Sequence, residues 1–238
     1  MSSEVGRQRQ DVALKSTSNS SHRIARPSSL AGDVYESIFA QLMSLEIAPG
    51  ARITVDGLVK ELEVSHTPIR EALGRLEGEG LVKRTHLVGY HAAPQISRAQ
   101  FEDLYEMRRL LEPEAAARAA AKITDAEYED LCRQAAVMAE DDATDAQLRY
   151  SNFARKDAAF HDRILEISGN ALIRETLRLQ HTHFHIFRLM FHWRVTEEAL
   201  DEHAEILDAL LHRDPAKARD AMTNHIRNSE ARLQPAFS

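Results

Sequence analysis

The chain has 238 residues, 43% of them apolar and 28% charged, with a formal net charge of −7; these are ordinary values for a globular protein, exclude wholesale disorder, and suit two modest domains better than one. Cys132 is the only cysteine, which excludes an intrachain disulfide and reads as a small buried hydrophobe. No apolar run approaches the ~20 residues that span a bilayer and no apolar signal core stands near the N-terminus, so no membrane partner is expected and the cytoplasm is the default location.

Residues 1–29 are rich in Ser, carry Arg7, Arg9, Lys15, Arg23 and Arg26, and show no apolar period, the composition of a disordered arm. Leu30, Val34, Ile38, Leu42 and Leu45 then recur at helical spacing until Pro49-Gly50 forces a turn. A second helix is expected from about Thr54 to Glu63 with Leu58 and Leu62 inward. A third starts at Ser65 as N-cap, accepts Pro68 in its first turn, buries Ile69, Leu73 and Leu76, and stops at Gly78 and Gly80. Two extended pieces, Leu81–Arg84 and Gly89–Ala92, flank a tip at residues 85–88 and read as a hairpin. This first unit spans 30–94 and residues 95–98 link it to the rest.

From Ser97 onward the apolar period is helical throughout, in segments 98–121 with an interruption at Pro113, 124–141, 146–168, 170–192, 196–212 and 214–232. Gly169 suits a helix end and Asn170 a helix start, while Asp214-Pro215 pairs a capping residue with Pro at the first helical position. The expected fold is therefore mainly α: an N-terminal winged helix-turn-helix with a small β-hairpin wing, and a C-terminal all-α bundle of about six helices over 99–233, with 234–238 as a tail.

Charge is uneven between the halves. Residues 1–96 hold 11 Lys and Arg against 11 Asp and Glu, whereas 97–238 hold 19 against 26. DNA binding must therefore be argued from where the N-terminal charges sit. With Ile69, Leu73 and Leu76 inward, the other face of the third helix presents His66, Thr67, Arg70, Gly74 and Arg75. Arg suits a bidentate grip on guanine or phosphate, and a helix N-terminus attracts phosphate. In the wing, Lys83, Arg84 and His86 are placed to meet the DNA backbone or minor groove. Spacing alone leaves a protein-binding module with solvated charges as the alternative.

The run from Val64 to Val82, with Ser65-His66-Thr67-Pro68-Ile69-Arg70-Glu71-Ala72-Leu73 at its head and Arg75-Leu76 and Glu79-Gly80-Leu81-Val82 behind, resembles the recognition-helix signature of the GntR family of transcription regulators. The resemblance implies that Thr67 and Arg70 contact DNA and that Gly89 shapes the wing. His66 stands where the family commonly has Arg, so one cationic contact is missing.

Asp157 and His161 lie four apart on one expected helix and share its face, and His203 and His225 fall on two later helices. A carboxylate and three imidazoles suit zinc, nickel or manganese if the helices meet, but spacing cannot bring them together, and partly buried histidines without a metal are the commoner case. Asp157-Ala158-Ala159-Phe160-His161, Ser168-Gly169-Asn170, Glu202-His203 and Ala221-Met222-Thr223-Asn224-His225-Ile226, with Met107-Arg108 and Leu111-Glu112 before them, resemble the FadR-type C-terminal (FCD) domain of one GntR subfamily. That resemblance implies a metal, zinc first, on Asp157, His161, His203 and His225, and an inward Arg108 facing the effector. A carboxylate held between metal and Arg108 is the expected ligand; the alternative keeps Arg108 on the surface, paired with Glu112 one turn on. His181, His183, His185 and His192 form a second histidine-rich stretch with no carboxylate in register, among Phe184, Phe187, Met190, Phe191 and Trp193, which read as core or a subunit contact.

The function expected is a ligand-responsive regulator, with repression as its expected sense, that binds a pseudo-palindromic operator as a homodimer. A metal sensor in which the ion is the signal is the alternative. A metal-dependent hydrolase stands further off, because no general base accompanies the metal quartet and a DNA-reading unit would be idle in it.

Overall fold

The computed structural model describes residues 29–86, 88–140, 145–189 and 194–237. Residues 1–28 of the expected N-terminal arm, the hairpin-tip Leu87, and Met190, Phe191, His192 and Trp193 lie outside them, whereas Ser29 belongs to the folded unit. The N-terminal unit runs α1 (Leu30–Met43), β1 (Arg52–Ile53), α2 (Val55–Leu62), α3 (His66–Gly78), β2 (Val82–Thr85) and β3 (Gly89–Ala92). Ser29 and Thr54 cap α1 and α2 by accepting from the backbone N–H groups of Gly32 and Gly57. Ser65 occupies the N-cap of α3 without a side-chain hydrogen bond to it. Ile69, Leu73 and Leu76 are fully buried, as their spacing requires, and α3 packs chiefly on α1.

The wing is more than the expected hairpin. β1 joins it through Arg52↔His91 and Ile53↔Tyr90, giving an antiparallel sheet in the order β1-β3-β2. Two residues cannot show an alternating pattern, so β1 has no signal of its own in the sequence.

The C-terminal unit comprises α4 (Arg98–Ala120), α5 (Asp125–Ala139), α6 (Ala146–Ile167), α7 (Ala171–Leu179), α8 (Thr182–Phe187), α9 (Arg194–Leu211), α10 (Pro215–Leu233) and a closing 3-10 turn at Gln234–Phe237. Capping boxes start α4 at Ser97 and α5 at Thr124, and Asn170 and Asp214 cap α7 and α10 at the expected positions. Two expectations are corrected. Pro113 does not break α4, which runs through it with Pro113 buried; the loss of one backbone hydrogen bond costs about 3 kcal/mol and is outweighed by packing of α4 along α10 and against α6.

The segment 170–192 is not one helix. His181 adopts φ 45° and separates α7 from α8; α7 lies on α6 and α4, while α8 packs on α6 and meets the N-terminal unit at Phe39 and Gly80. Cys132 is half-buried rather than buried. One apolar core runs continuously from Val34 in α1 to Leu233 in α10, so both units share it. No helix among the described residues is long and apolar enough to cross a membrane.

Candidate functional site

The outer face of α3 and the wing form a groove of about 590 Å³ lined by Arg52, Thr54, Arg70, Arg84, His86, Gly89 and Tyr90 among others. His66, Thr67, Arg70, Gly74 and Arg75 are exposed along α3. His66 Nε2 sits 2.8 Å from Asp56 Oδ1 of α2, so the position that carries Arg in the resemblance is tied to an acid here. Gly89 has φ +106°, a conformation that L side chains rarely adopt, which explains glycine at the turn into β3.

Two sequence-expected residues are placed differently. Arg75 lies 140° around the helix from Arg70 by the 100° step and its guanidinium stacks 3.9 Å from the Tyr35 ring centroid, turned toward α1. Lys83 alternates with Arg84 along β2 and so points to the opposite face; its charge acts on His185 of α8, and it does not line the groove. Arg52, which does, was not singled out in the sequence because β1 was not visible there.

In the C-terminal unit, α6 supplies Asp157 and His161, α9 supplies His203 and α10 supplies His225. All four are buried. One ring nitrogen from each of the three histidines lies within 4.8 Å of the others, and Asp157 Oδ1 is 3.3 Å from His203 Nε2 and 3.9 Å from His161 Nε2. Two of these imidazoles are oriented by carboxylates behind them: His161 Nδ1 is 2.9 Å from Glu112 Oε2, and His225 Nδ1 is 2.8 Å from Glu202 Oε2. This is the arrangement in which a carboxylate fixes the tautomer and leaves Nε2 free to ligate. His161 Nε2 and both ring nitrogens of His203 are buried without a hydrogen-bond partner, the 3.3 Å approach to Asp157 being too poorly aligned to count as one. Buried polar atoms left unpaired are costly and rare, and a cation among them would take His161 Nε2 and one of the two His203 nitrogens.

Electrostatics prepare the same site. Burial pushes the His161 and His225 imidazoles down to about 3 and about 4, so both are neutral and able to donate a lone pair at neutral pH. Burial alone would raise Asp157, but the neighbouring His183 and His203 hold it well below the usual carboxylate range. Burial would likewise raise Glu112, and Arg108 with His161 outweighs it.

Arg108 is inward, 1% exposed, as the resemblance implies, yet it is also paired with Glu112. Arg108 Nε donates to Oε1 at 2.6 Å and Nη2 to Oε2 at 3.4 Å, while Nη1 is buried without a partner. One guanidinium nitrogen, Nη1 with its two N–H groups, is left for a ligand. The space beside it, bounded by Asp157, Ile186, Phe187, His225 and Ser229, is about 10 Å³. A larger cavity of about 260 Å³ opens on the far side of His161, against Glu112, His183, Phe184 and Arg155.

Glu112 and His183 also approach His161 as a second set of possible ligands, but Glu112 is engaged by Arg108. Sequence reasoning missed Glu112 and Glu202 as orienting groups and His183 as a neighbour of Asp157, 2.7 Å from Oδ2. Only the meeting of distant helices reveals these pairs.

Comparison with known proteins bears on both halves. Residues 30–91 match the family model described as bacterial regulatory proteins, gntR family, and residues 103–228 match the FCD domain. A regulator from Streptomyces ambofaciens described as an uncharacterized HTH-type transcriptional regulator in an unstable DNA locus is 28% identical, covering 82% of this chain and 81% of its own. The Nta operon transcriptional regulator of Aminobacter aminovorans is 29% identical, covering 77% and 85%. Among solved structures, E. coli McbR/YncC aligns over 88% of this chain and 99% of its own with a TM-score of 0.63 at 20% identity, a likeness of fold.

Proposed function

Because the chain belongs to the gntR family of bacterial regulatory proteins and carries an FCD domain, and is thus a DNA-binding transcription regulator and not an enzyme, we propose that a small carboxylate bound beside a divalent metal ion controls it. Asp157, His161, His203 and His225 hold the ion, with zinc the first candidate and nickel or manganese compatible with the same donors. The observation that carries this reading is the convergence of His161, His203 and His225 beside Asp157, with unpartnered nitrogens on His161 and His203 and with Glu112 and Glu202 behind His161 and His225. Four protein ligands leave a larger coordination shell open to an anionic oxygen. Arg108 Nη1, whose N–H groups are unpartnered, donates to that anion.

On the DNA side, Arg70 contacts a base edge, Thr67 and the N-terminus of α3 meet phosphate, and Arg84, His86 and Arg52 line the groove that receives the backbone. One recognition helix reads only a few base pairs, so the regulator acts as a homodimer on a pseudo-palindromic operator. The test is elemental analysis and native mass spectrometry of the purified protein, then calorimetry with a panel of small organic acids. Binding that survives both chelation and Arg108→Ala, or a preference for neutral or cationic compounds, rules the reading out. If metal alone switches DNA affinity with no organic acid present, the ion itself is the signal.

A further inference from the structure

Of the second histidine-rich stretch, His183 and His185 fall on α8 and His181 precedes it, and these residues divide between two neighbours. His183, Ile186 and Phe187 face the metal centre: His183 Nδ1 is 2.7 Å from Asp157 Oδ2, and Ile186 and Phe187 wall the small space beside Arg108. Tyr150 of α6 pins that face by donating to the Phe187 carbonyl at 2.7 Å.

His181, His185 and Arg188 follow one another at i, i+4 and i+7 on the other face and meet the DNA-reading unit. A Cβ added to Gly80, where φ is +71°, would lie 3.2 Å from His181 Cδ2 and 3.8 Å from His185 Nε2, so both rings rest on the backbone just past the recognition helix. Arg188 Nη2 donates to the Ala93 carbonyl at 2.7 Å, and Gln95 Nε2 donates to the Arg188 carbonyl at 2.7 Å. Phe184 meets Phe39 of α1 edge-on at 5.3 Å.

We propose that α8 is the element that couples the metal centre to the recognition helix: the Asp157–His183 hydrogen bond sets its position on one side, and His181, His185 and Arg188 transmit that position to the segment 77–83 on the other. The outer contact is built to be marginal. His185 Nδ1 and Nε and Nη1 of Arg188 are buried without partners, and His181 holds a left-handed backbone that favours glycine. An interface carrying such unpaired groups has competing arrangements close in free energy, which a regulator needs in order to be shifted by ligand. The inference rests on the metal reading of the preceding subsection.

The test uses the full chain with Zn2+ as the probe and hydrogen exchange as the readout, comparing zinc-loaded and chelator-treated protein. In the wild type, zinc slows exchange in peptides covering 182–189 and 77–83, by a factor within the roughly 5–150-fold range of typical coupling. His183→Ala weakens zinc binding by about 10–100-fold, the usual cost of losing an orienting partner, so the comparison is made at saturating zinc. The ligand helices α6 and α10 then still respond while 77–83 does not. His185→Ala, on the outer face, keeps wild-type zinc affinity and also silences 77–83, and it decides the matter if His183→Ala does not fold. Zinc-dependent protection of 77–83 that persists in both variants overturns the proposal. So does wild-type protein that binds zinc with no response at 77–83, which leaves the metal reading standing. Wild-type protein that takes up no zinc removes both.

Discussion

Glu112→Gln tests the buried charge arrangement most directly. Glu112 accepts from Arg108 Nε at 2.6 Å and faces His161 Nδ1 at 2.9 Å, with Arg108 1% and Glu112 3% exposed. The amide keeps an acceptor for the His161 N–H but removes the charge, leaving a guanidinium buried and uncompensated. Removing one partner of a buried pair costs about 3–5 kcal/mol, a large share of the roughly 5–15 kcal/mol that holds a typical domain.

The partner substitution is not symmetrical. Arg108→Met leaves a carboxylate that can be relieved by protonating itself or the adjacent His161, whereas Arg108 has no accessible neutral form, so Arg108→Met costs less. Glu112→Gln with Arg108→Met removes the stranded charge and recovers much of the loss. Urea unfolding of the four chelator-treated proteins, followed by circular dichroism, measures the cycle. Zinc affinity of Glu112→Gln should fall as well, within the 10–100-fold expected when a ligating His loses its charged partner. A loss under about 1 kcal/mol for Glu112→Gln, with additive effects in the double variant, refutes the reasoning.

Arg70→Ala should remove about 1–3 kcal/mol of sequence discrimination per half-site, read by fluorescence anisotropy on operator and scrambled DNA; undiminished discrimination means that α3 presents another face. Arg84→Ala should weaken binding to all sequences and lower the salt slope by about 1, while Lys83→Ala, on the opposite face of β2, leaves the slope nearly unchanged. His203→Ala should abolish stoichiometric metal in elemental analysis, and retention of a full equivalent would move the site elsewhere. Burial holds His185 down at about 4 in the folded chain, with Arg188, His181 and Lys83 adding to the effect, against about 6.5 unfolded. The unfolded state therefore binds more protons between those values and stability falls as pH drops through that window; His185→Gln should lose less Tm than the wild type from pH 7 to pH 5, and equal losses would contradict it.

Features fixed locally were legible in the sequence. Asn170 and Asp214 start helices where their side chains reach free N–H groups, and the Ile69–Leu73–Leu76 stripe predicted which face of α3 turns outward. Features decided by packing were not. Pro113 argued for a break that the contacts of α4 override, and the stop at His181 has neither Gly nor Pro to announce it. The metal quartet was reachable only through a family resemblance, because spacing shows that Asp157 and His161 share a face but not that α9 and α10 meet them. Glu112 behind His161 and Glu202 behind His225 are separated by 49 and 23 residues, and no periodicity links such pairs.

Charge and volume around the quartet bear on the choice of ligand. Glu112 is balanced by Arg108, and Glu202 receives both Arg232 Nη1 at 2.5 Å and Nη2 at 2.9 Å. His161 and His225 are neutral at pH 7 because of their burial. Among the described residues of the site, Asp157 then contributes a negative charge whose neighbours are imidazoles, His183 at 2.7 Å and His203 at 3.3 Å. A divalent ion on that set carries a net single positive charge in a buried place, which is expensive unless balanced. A monocarboxylate balances it; a neutral ligand leaves the charge standing and a dianion reverses it. The same ligand does not fit as the side chains lie, since the space beside Arg108 is about 10 Å³, enough for about one water. Two of its walls are Ile186 and Phe187, so a carboxylate that enters there must displace α8, the helix whose other face carries His181, His185 and Arg188 onto the DNA-reading unit. On the proposed reading, neutralising the metal centre and displacing α8 from the DNA-reading unit would be consequences of one binding event.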